Sequence, residues 1–527
     1  MLPPFSYVKV EHYIIGIGIS HGLLWLIFIK EFPVDHRKLK ILFVSSEVED
    51  FSKTGGLADV AKALPIELRN LGHEVKVITP FYRTISQREH AQHKFDLTLN
   101  TDFSRPDIQF TVHQLDLDNI PVLAIDNAHY FDRAGLYGED NHAYQDNGER
   151  FAFFCLAALQ VCEADHFMPD IIHCNDWHTG LIPYLLKTRY QDSYQFEQTK
   201  TVFTTHNACY QGIFDKSQLN LIPEVSSCMD EGVLENYNYI NYLKVGLTYS
   251  DKINTVSPNY ASELLTPLGS HGMAHHFISR IHDFEGILNG CDYNDWNPET
   301  DKYIPANFSA DNLSGKAICK KALQNEVALP VSDNPIFGMV CRLTEQKGFA
   351  LIIPILSRLL KHNLQLIIVG SGDPAIAGQL NAIMARYPDN FKFIDTYSNK
   401  LSHLVEAGAD FFMMPSIFEP CGLNQLYSLA YGTLPIVRAV GGLKDTVIDY
   451  EQDRDNANGF VFHDPIPNQL LNLLRRALLL YIEHPEEMLR LKKQAMRSHF
   501  YWSDSAKHYQ RMYYNALHHH HHHHHHR

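Results

Sequence analysis

Several short stretches set chemically capable residues just beyond apolar runs. Lys53-Thr54-Gly55-Gly56 follows the run at residues 40–45. Glycine lets backbone N–H groups close on a ligand, and a helix start favours an anion. Lys53 adds a point charge. An ordinary turn opening a helix uses the same letters, but the lysine and the position after the first run favour a ligand.

Arg342 and Lys347 stand in RLTEQKG, just past the run Ile336–Val340. Two cations so spaced can clamp a pyrophosphate, and a solvated loop paired through Glu345 fits equally well. Glu419-Pro420-Cys421-Gly422 follows Phe411–Met414. A carboxylate beside a glycine suits hydroxyl recognition, or simply a helix cap. Cys421 has no His or Asn partner in the pattern, so packing or a backbone contact is its expected role.

His173-Cys174-Asn175-Asp176-Trp177-His178 and Thr205-His206-Asn207 invite a metal reading. They lack H-E-x-x-H or comparable spacing, and mixed donors and acceptors beside a tryptophan suit sugar hydroxyls better. Gly370-x-Gly372-x-x-Ala375, with Asp395 25 residues past Gly370, matches a dinucleotide fingerprint loosely. Tight helix–strand packing is the preferred reading, and an NAD site is rejected.

The elements that must carry these residues alternate between apolar strands and amphipathic helices, the pattern of parallel α/β sheets. Strands are predicted at 40–45, 74–78, 122–125, 171–173 and 202–205, with a helix at 56–71. The alternation restarts after about residue 285. Strands follow at Ile336–Val340, 366–369, Phe391–Ile394, Phe411–Met414 and 434–437, with helices at 349–361 and 374–387. Two α/β domains of about 200 residues each are expected. The turn Gly55-Gly56-Leu57 is echoed by Gly441-Gly442-Leu443. Ligands bind beyond the carboxyl ends of such strands, so a cleft between two such sheets is the expected site.

The net charge of -15 over 527 residues excludes general affinity for nucleic acid or an anionic surface. An anionic substrate therefore needs local cations. Nine cysteines without a C-x-x-C pair suggest a reducing cytoplasm rather than a disulfide framework or a zinc site. The apolar run 13–29 contains three glycines and a histidine, which makes it marginal as a membrane span. It lacks the flanks of a signal peptide, and membrane contact through it is not expected. The nine histidines 518–526 read as an appended tract. Both ends are left out of the fold expectation.

Taken together, KTGGLADV (53–60), NDWHTG (175–180), THNACYQG (205–212), ILNGCDYNDWNPETD (287–301), RLTEQKG (342–348), FEPCGLNQLY (418–427) and YGTLPIVRAVGGLKDTV (431–447) resemble the bacterial glycogen and plant starch synthase family. The resemblance implies a GT-B fold, two Rossmann-like domains facing across a cleft. It implies glucose transfer with retention from ADP-glucose to the non-reducing end of an α-1,4-glucan, without a cofactor or an obligatory metal.

Carried over by motif, Lys53, Gly55 and Gly56 face the donor phosphates, and Arg342 and Lys347 stabilise the departing diphosphate. Asp176, His206 and Asn207 hold the transferred glucose, and Glu419 its hydroxyls, beside Cys421 and Gly422. Gly442 and Thr446 approach the distal phosphate, and Tyr397 is a platform for adenine. The implied division is an atypical extension at 1–38, an acceptor domain at 39–285, a donor-nucleotide domain at 286–499, a helix at 500–517 packing back on the first domain, and the tail 518–527.

Ile417 departs from the family's usual arginine, Gly272-Met273-Ala274-His275-His276 from G-M-x-G-L, and Tyr427 from the second glutamate of related enzymes. Rival readings are a non-catalytic glucan-binding protein on a synthase scaffold and a GT-B transferase using another sugar donor.

Overall fold

The computed structural model describes residues 5–10, 13–20, 23–30, 35–101, 105–227, 234–236 and 238–518. The chain divides into two compact units. One is Phe5–Asn289 with the segment from Trp502 onward, and the other is Gly290–Tyr501.

The first unit is built on a nine-stranded sheet. Its order is Phe284–Gly286, Lys252–Thr255, Lys200–Thr205, Ile171–Asn175, Lys40–Val44, Glu74–Pro80, Ile120–Asp126, Ile108–Leu117 and Gln92–Leu99. The pairs are parallel as far as Ile120–Asp126, and the last two strands run antiparallel. Lys40–Val44 lies between the next strand in sequence and a much later one, Ile171–Asn175. The crevice at that switch point opens at the strands' carboxyl ends. There the chain delivers Glu47 and Lys53 from one strand and Asp176 from the other.

The second unit holds six parallel strands in the order Phe391–Ile394, Gln365–Val369, Ile336–Val340, Phe411–Met414, Leu434–Arg438 and Phe460–Phe462. Numbered by sequence this is 3-2-1-4-5-6, the Rossmann order. Its switch point lies between Ile336–Val340 and Phe411–Met414. Arg342 and Lys347 leave one strand there, and Ser416 and Glu419 leave the other.

Apolar runs became strands because both faces are covered: Gln365–Val369 and Ile171–Asn175 are buried at every position. The expected helix at 349–361 is broken into Phe349–Ile352, a 3-10 turn Ile353–Ile355, and Leu356–Leu359. Pro354 is the cause, since it has no N–H and its ring clashes with the preceding turn.

The helix Trp502–His518 belongs to the first unit, where Trp502, Tyr509, Met512 and Tyr513 join the core of Leu39, Ile41, Phe43 and Leu64. The Tyr513 hydroxyl meets His173 Nδ1 at 2.6 Å, and His173 Nε2 meets Thr204 Oγ1 at 2.6 Å. Burial holds the His173 pKa well below its ordinary value. It is a satisfied core histidine rather than a metal ligand.

The apolar run 13–29 falls in two antiparallel strands, Tyr13–Ser20 and Leu23–Lys30, with Phe5–Val10 paired to the first. Leaving this segment out of the fold expectation therefore missed a three-stranded meander. Among the described residues no helix is long and apolar enough to cross a membrane. His518 ends the last helix, within 3.1 Å of Asp35, and the rest of the histidine tract lies outside the described residues.

Candidate functional site

In the second unit, glycines place the cations. A Cβ on Gly370 would stand 1.9 Å from the Cys341 carbonyl oxygen, and one on Gly372 would meet Leu343 O at 2.7 Å. Leu343 N–H donates to Ser371 O at 2.9 Å, and Asp373 N–H donates back to Leu343 O at 2.9 Å. The G-x-G pair thus serves close packing, and what it fixes is the segment carrying Arg342. Arg342 is exposed, and among the described residues its guanidinium has no ion-pair partner, Glu345 included.

Lys347 and Glu419, expected to serve different parts of the donor, touch each other. The Lys347 ammonium donates to both Glu419 oxygens at 3.1 and 2.9 Å, and the Ser416 hydroxyl adds a bond of 2.9 Å. Glu419 is only 7% exposed, so this pairing is what makes its charge tolerable.

The Gly441-Gly442 turn presses on the same loop: added Cβ atoms would lie 1.8 Å from Glu419 O and 2.2 Å from Cys421 O. Gly442 N–H donates to Pro420 O at 3.0 Å. The Thr446 hydroxyl is buried and donates to Gly442 O at 2.7 Å. The Gly442 N–H and the Thr446 hydroxyl, expected to approach a phosphate, are therefore engaged within the protein. Gly422 takes φ 78, a left-handed conformation that glycine adopts freely, and Cys421 is buried beside it.

Tyr397 is 71% exposed, three residues past the strand Phe391–Ile394. Tyr427, flagged for departing from the family's glutamate, stacks on Trp296 at 3.9 Å and 6°. His403 covers the other face of Trp296 at 3.7 Å and 7° and binds Asp301 through Nδ1 at 2.7 Å. Trp296 and Asp301 come from one stretch and His403 from another, and no spacing in the sequence links the two. Ile417 packs against the unit's core, while the Arg438 guanidinium ties down the carbonyls of Ser416 and Ile417 at 2.9 Å each.

In the first unit, Asp176 has φ 60 and ψ -178, strained for any side chain and held by its neighbours. Its N–H donates to Thr204 O at 2.9 Å, and its Oδ1 accepts the His206 N–H at 2.6 Å. Burial lifts its pKa to about 7 against the pull of the His206 N–H, and the charge of Glu47 adds to the rise. His206 Nε2 meets Asn175 Oδ1 at 2.9 Å, and burial lowers its pKa to about 3, so it is neutral at physiological pH. Asn175 Nδ2 already donates to Val44 O, so Asn175 Oδ1 is the acceptor and His206 Nε2 carries the proton. Asn207 Oδ1 accepts the Cys209 N–H at 3.0 Å, closing the loop.

The Lys53 ammonium lies 2.8 Å from Asp59 Oδ1 and 3.8 Å from Glu49 Oε1. Asp59 is raised well above the carboxylate range, by burial first and then by its hydrogen bond with Glu49. Gly55 N–H is taken by Glu47 Oε1 at 3.0 Å, whereas a Cβ on Gly56 would meet nothing within 4 Å. Of the two glycines expected to face phosphates, Gly55 has its N–H committed to Glu47, and Gly56 borders open space. Glu47, Tyr137, Asp59 and Glu49 were missed, although Glu47 stands just past the first strand, where a carboxylate is a signal.

The starch synthase catalytic domain family matches residues 40–279, and the glycosyl transferases group 1 family matches residues 321–497. A glycogen synthase of Aeromonas salmonicida is 55% identical over 91% of this chain and 98% of its own. One of Photobacterium profundum is 54% identical over 92% of this chain and 96% of its own. The solved catalytic domain of starch synthase IV from Arabidopsis thaliana, bound to ADP and acarbose, superposes with a TM-score of 0.85 at 31% identity. It covers 92% of this chain and 100% of its own.

Proposed function

The chain belongs to the starch and glycogen synthase family of GT-B glycosyltransferases, and from that premise we propose that it transfers glucose, with retention, from ADP-glucose to the non-reducing end of an α-1,4-glucan. Glucosyl transfer from a nucleotide sugar to a glucan is the glycogen synthase activity itself; donor, stereochemistry and residue roles are the proposal. The observation that carries it is the cluster at the second unit's switch point, where Lys347 and Glu419 stand paired and the exposed Arg342 leaves the same strand as Lys347.

As the bond from glucose C1 to the diphosphate breaks, the leaving oxygen gains negative charge. Arg342 and Lys347 receive it. Glu419, released in part from Lys347, accepts hydrogen bonds from glucose hydroxyls. The acceptor hydroxyl attacks C1 from the side the diphosphate leaves, and its proton passes to the departing phosphate oxygen. No pair of carboxylates at hydrolase spacing is required.

Asp176 and His206 hold the glucose, and Lys53 with Gly56 meets the donor phosphates. Tyr397 offers its exposed ring to adenine. The donor domain is 286–499 and the acceptor domain 39–285. Eight free thiols among the described cysteines suit a reducing cytoplasm.

Incubation with ADP-[14C]glucose, UDP-[14C]glucose and glycogen tests the reading. Label enters glycogen from ADP-glucose faster than from UDP-glucose, and millimolar EDTA does not reduce the rate, because side-chain cations neutralise the leaving group. Preference for UDP-glucose, or a loss in EDTA restored by one divalent ion, would contradict it.

A further inference from the structure

The K-T-G-G turn already holds an anion belonging to the chain. Glu47 is 2% exposed, and four donors converge on its carboxylate. Its Oε1 accepts the N–H groups of Thr54 at 3.1 Å and Gly55 at 3.0 Å. Its Oε2 accepts the Thr54 hydroxyl at 2.8 Å and the Tyr137 hydroxyl at 2.6 Å. An ionised carboxylate has acceptor sites for four such bonds and no proton to offer. Successive backbone N–H groups in a turn form a concavity that binds anions. Here Glu47 fills that concavity. The surroundings fix it further: Ser46 Oγ lies 2.7 Å from the Tyr137 hydroxyl, and the Tyr137 ring packs 4.8 Å from His178.

We propose that Glu47 is a positioning residue, an internal anion that sets the K-T-G-G turn before the donor arrives. The donor's diphosphate then meets the turn through Lys53 and the start of the helix Gly56–Asn70, not through the N–H groups of Thr54 and Gly55. This deepens the functional reading above and rests on it. The open space beside Gly56 and the filled concavity at Gly55 divide the two glycines between a ligand and the fold. A turn ordered in advance leaves less conformational freedom to be lost when the donor binds.

The test compares Glu47→Gln and Glu47→Ala by KM for ADP-glucose, KM for glycogen, and calorimetric affinity for ADP. The glutamine oxygen can keep both N–H bonds while its amide group donates to the two hydroxyls. Donor KM and ADP Kd should therefore stay within about threefold of the parent, against a rise of at least about tenfold in Glu47→Ala, the loss of charge-assisted bonds. KM for glycogen should not move in either variant. An unchanged ADP Kd in Glu47→Ala overturns the proposal, and so does a rise in both KM values together, which marks a general lesion.

If Glu47→Ala does not fold, Thr54→Val removes one donor while keeping the shape. Donor KM and ADP Kd should then rise about threefold with KM for glycogen fixed, one hydrogen bond's worth. No change there overturns the proposal. A parent protein inactive with ADP-glucose refutes the functional reading instead, and the ADP Kd comparison still decides the role of Glu47.

Discussion

Arg342→Ala lowers kcat by at least about a hundredfold, the usual cost of removing one group that stabilises transition-state charge, and leaves Tm unchanged. The two halves of this result have separate causes. The backbone at Arg342 is held by its neighbours: Leu343 N–H bonds to Ser371 O, and Gly370 and Gly372 pack against residues 341–343. The side chain is exposed and has no ion-pair partner among the described residues, so removing it strands no charge and opens no cavity. Its charge matters when the bridging oxygen becomes anionic, which is a transition-state effect, so KM for the donor rises less than kcat falls. Arg342→Lys recovers activity only in part, because a compact ammonium lacks the planar fork of a guanidinium. A lowered Tm in Arg342→Ala would show that the residue supports the loop, and near-normal kcat would remove it from the site.

Lys347→Ala behaves differently, losing stability as well as activity. Without Lys347 the Glu419 carboxylate keeps one hydroxyl donor, Ser416, in a largely buried setting. Stranding one partner of a buried pair costs about 3 kcal/mol, and in a unit of roughly 200 residues that lowers Tm by about 6–12 °C. Catalysis falls by at least about a hundredfold through the same loss of charge stabilisation as at Arg342. The double variant Lys347→Met with Glu419→Gln separates the two effects. With both charges gone, Tm recovers most of the loss while kcat stays low, because neither the cation nor the carboxylate is restored. Calorimetry beside initial rates reads both. A single variant with parental Tm would show that the ion pair contributes nothing to the fold, and a double variant that regains activity would show that its role is only structural.

What the sequence made legible was what local pattern encodes. Runs such as KILFV and QLIIV are apolar at nearly every position because their strands are covered on both faces, and their placement needed no tertiary information. Glycines marked the close approaches, and the strand ends marked where chemistry collects. Partnership was not legible. Lys347 and Glu419 are 72 residues apart and meet only because Ile336–Val340 and Phe411–Met414 are neighbours in the sheet. Strand order carries that information, not spacing. The echo between Gly55-Gly56 and Gly441-Gly442 holds as far as local pattern reaches, since each turn opens a helix, Gly56–Asn70 and Gly441–Thr446. One turn wraps a carboxylate while the other packs against a backbone, and only tertiary contacts distinguish them. The stack of His403, Trp296 and Tyr427 draws on three separate segments and leaves no periodic trace. Pro354 was the opposite case, since the letter that breaks the helix was in plain view and apolar periodicity outweighed it.

The most direct test of the central claim examines the bond that is made. Glycogen labelled briefly from ADP-[14C]glucose is digested with β-amylase, which removes maltose only from non-reducing ends and only through α-1,4 linkages. Transfer with retention to the non-reducing end predicts that the label leaves as maltose in the first moments of digestion, well ahead of the bulk glucan. Label that resists the enzyme, or that leaves only in step with the bulk, would contradict the account.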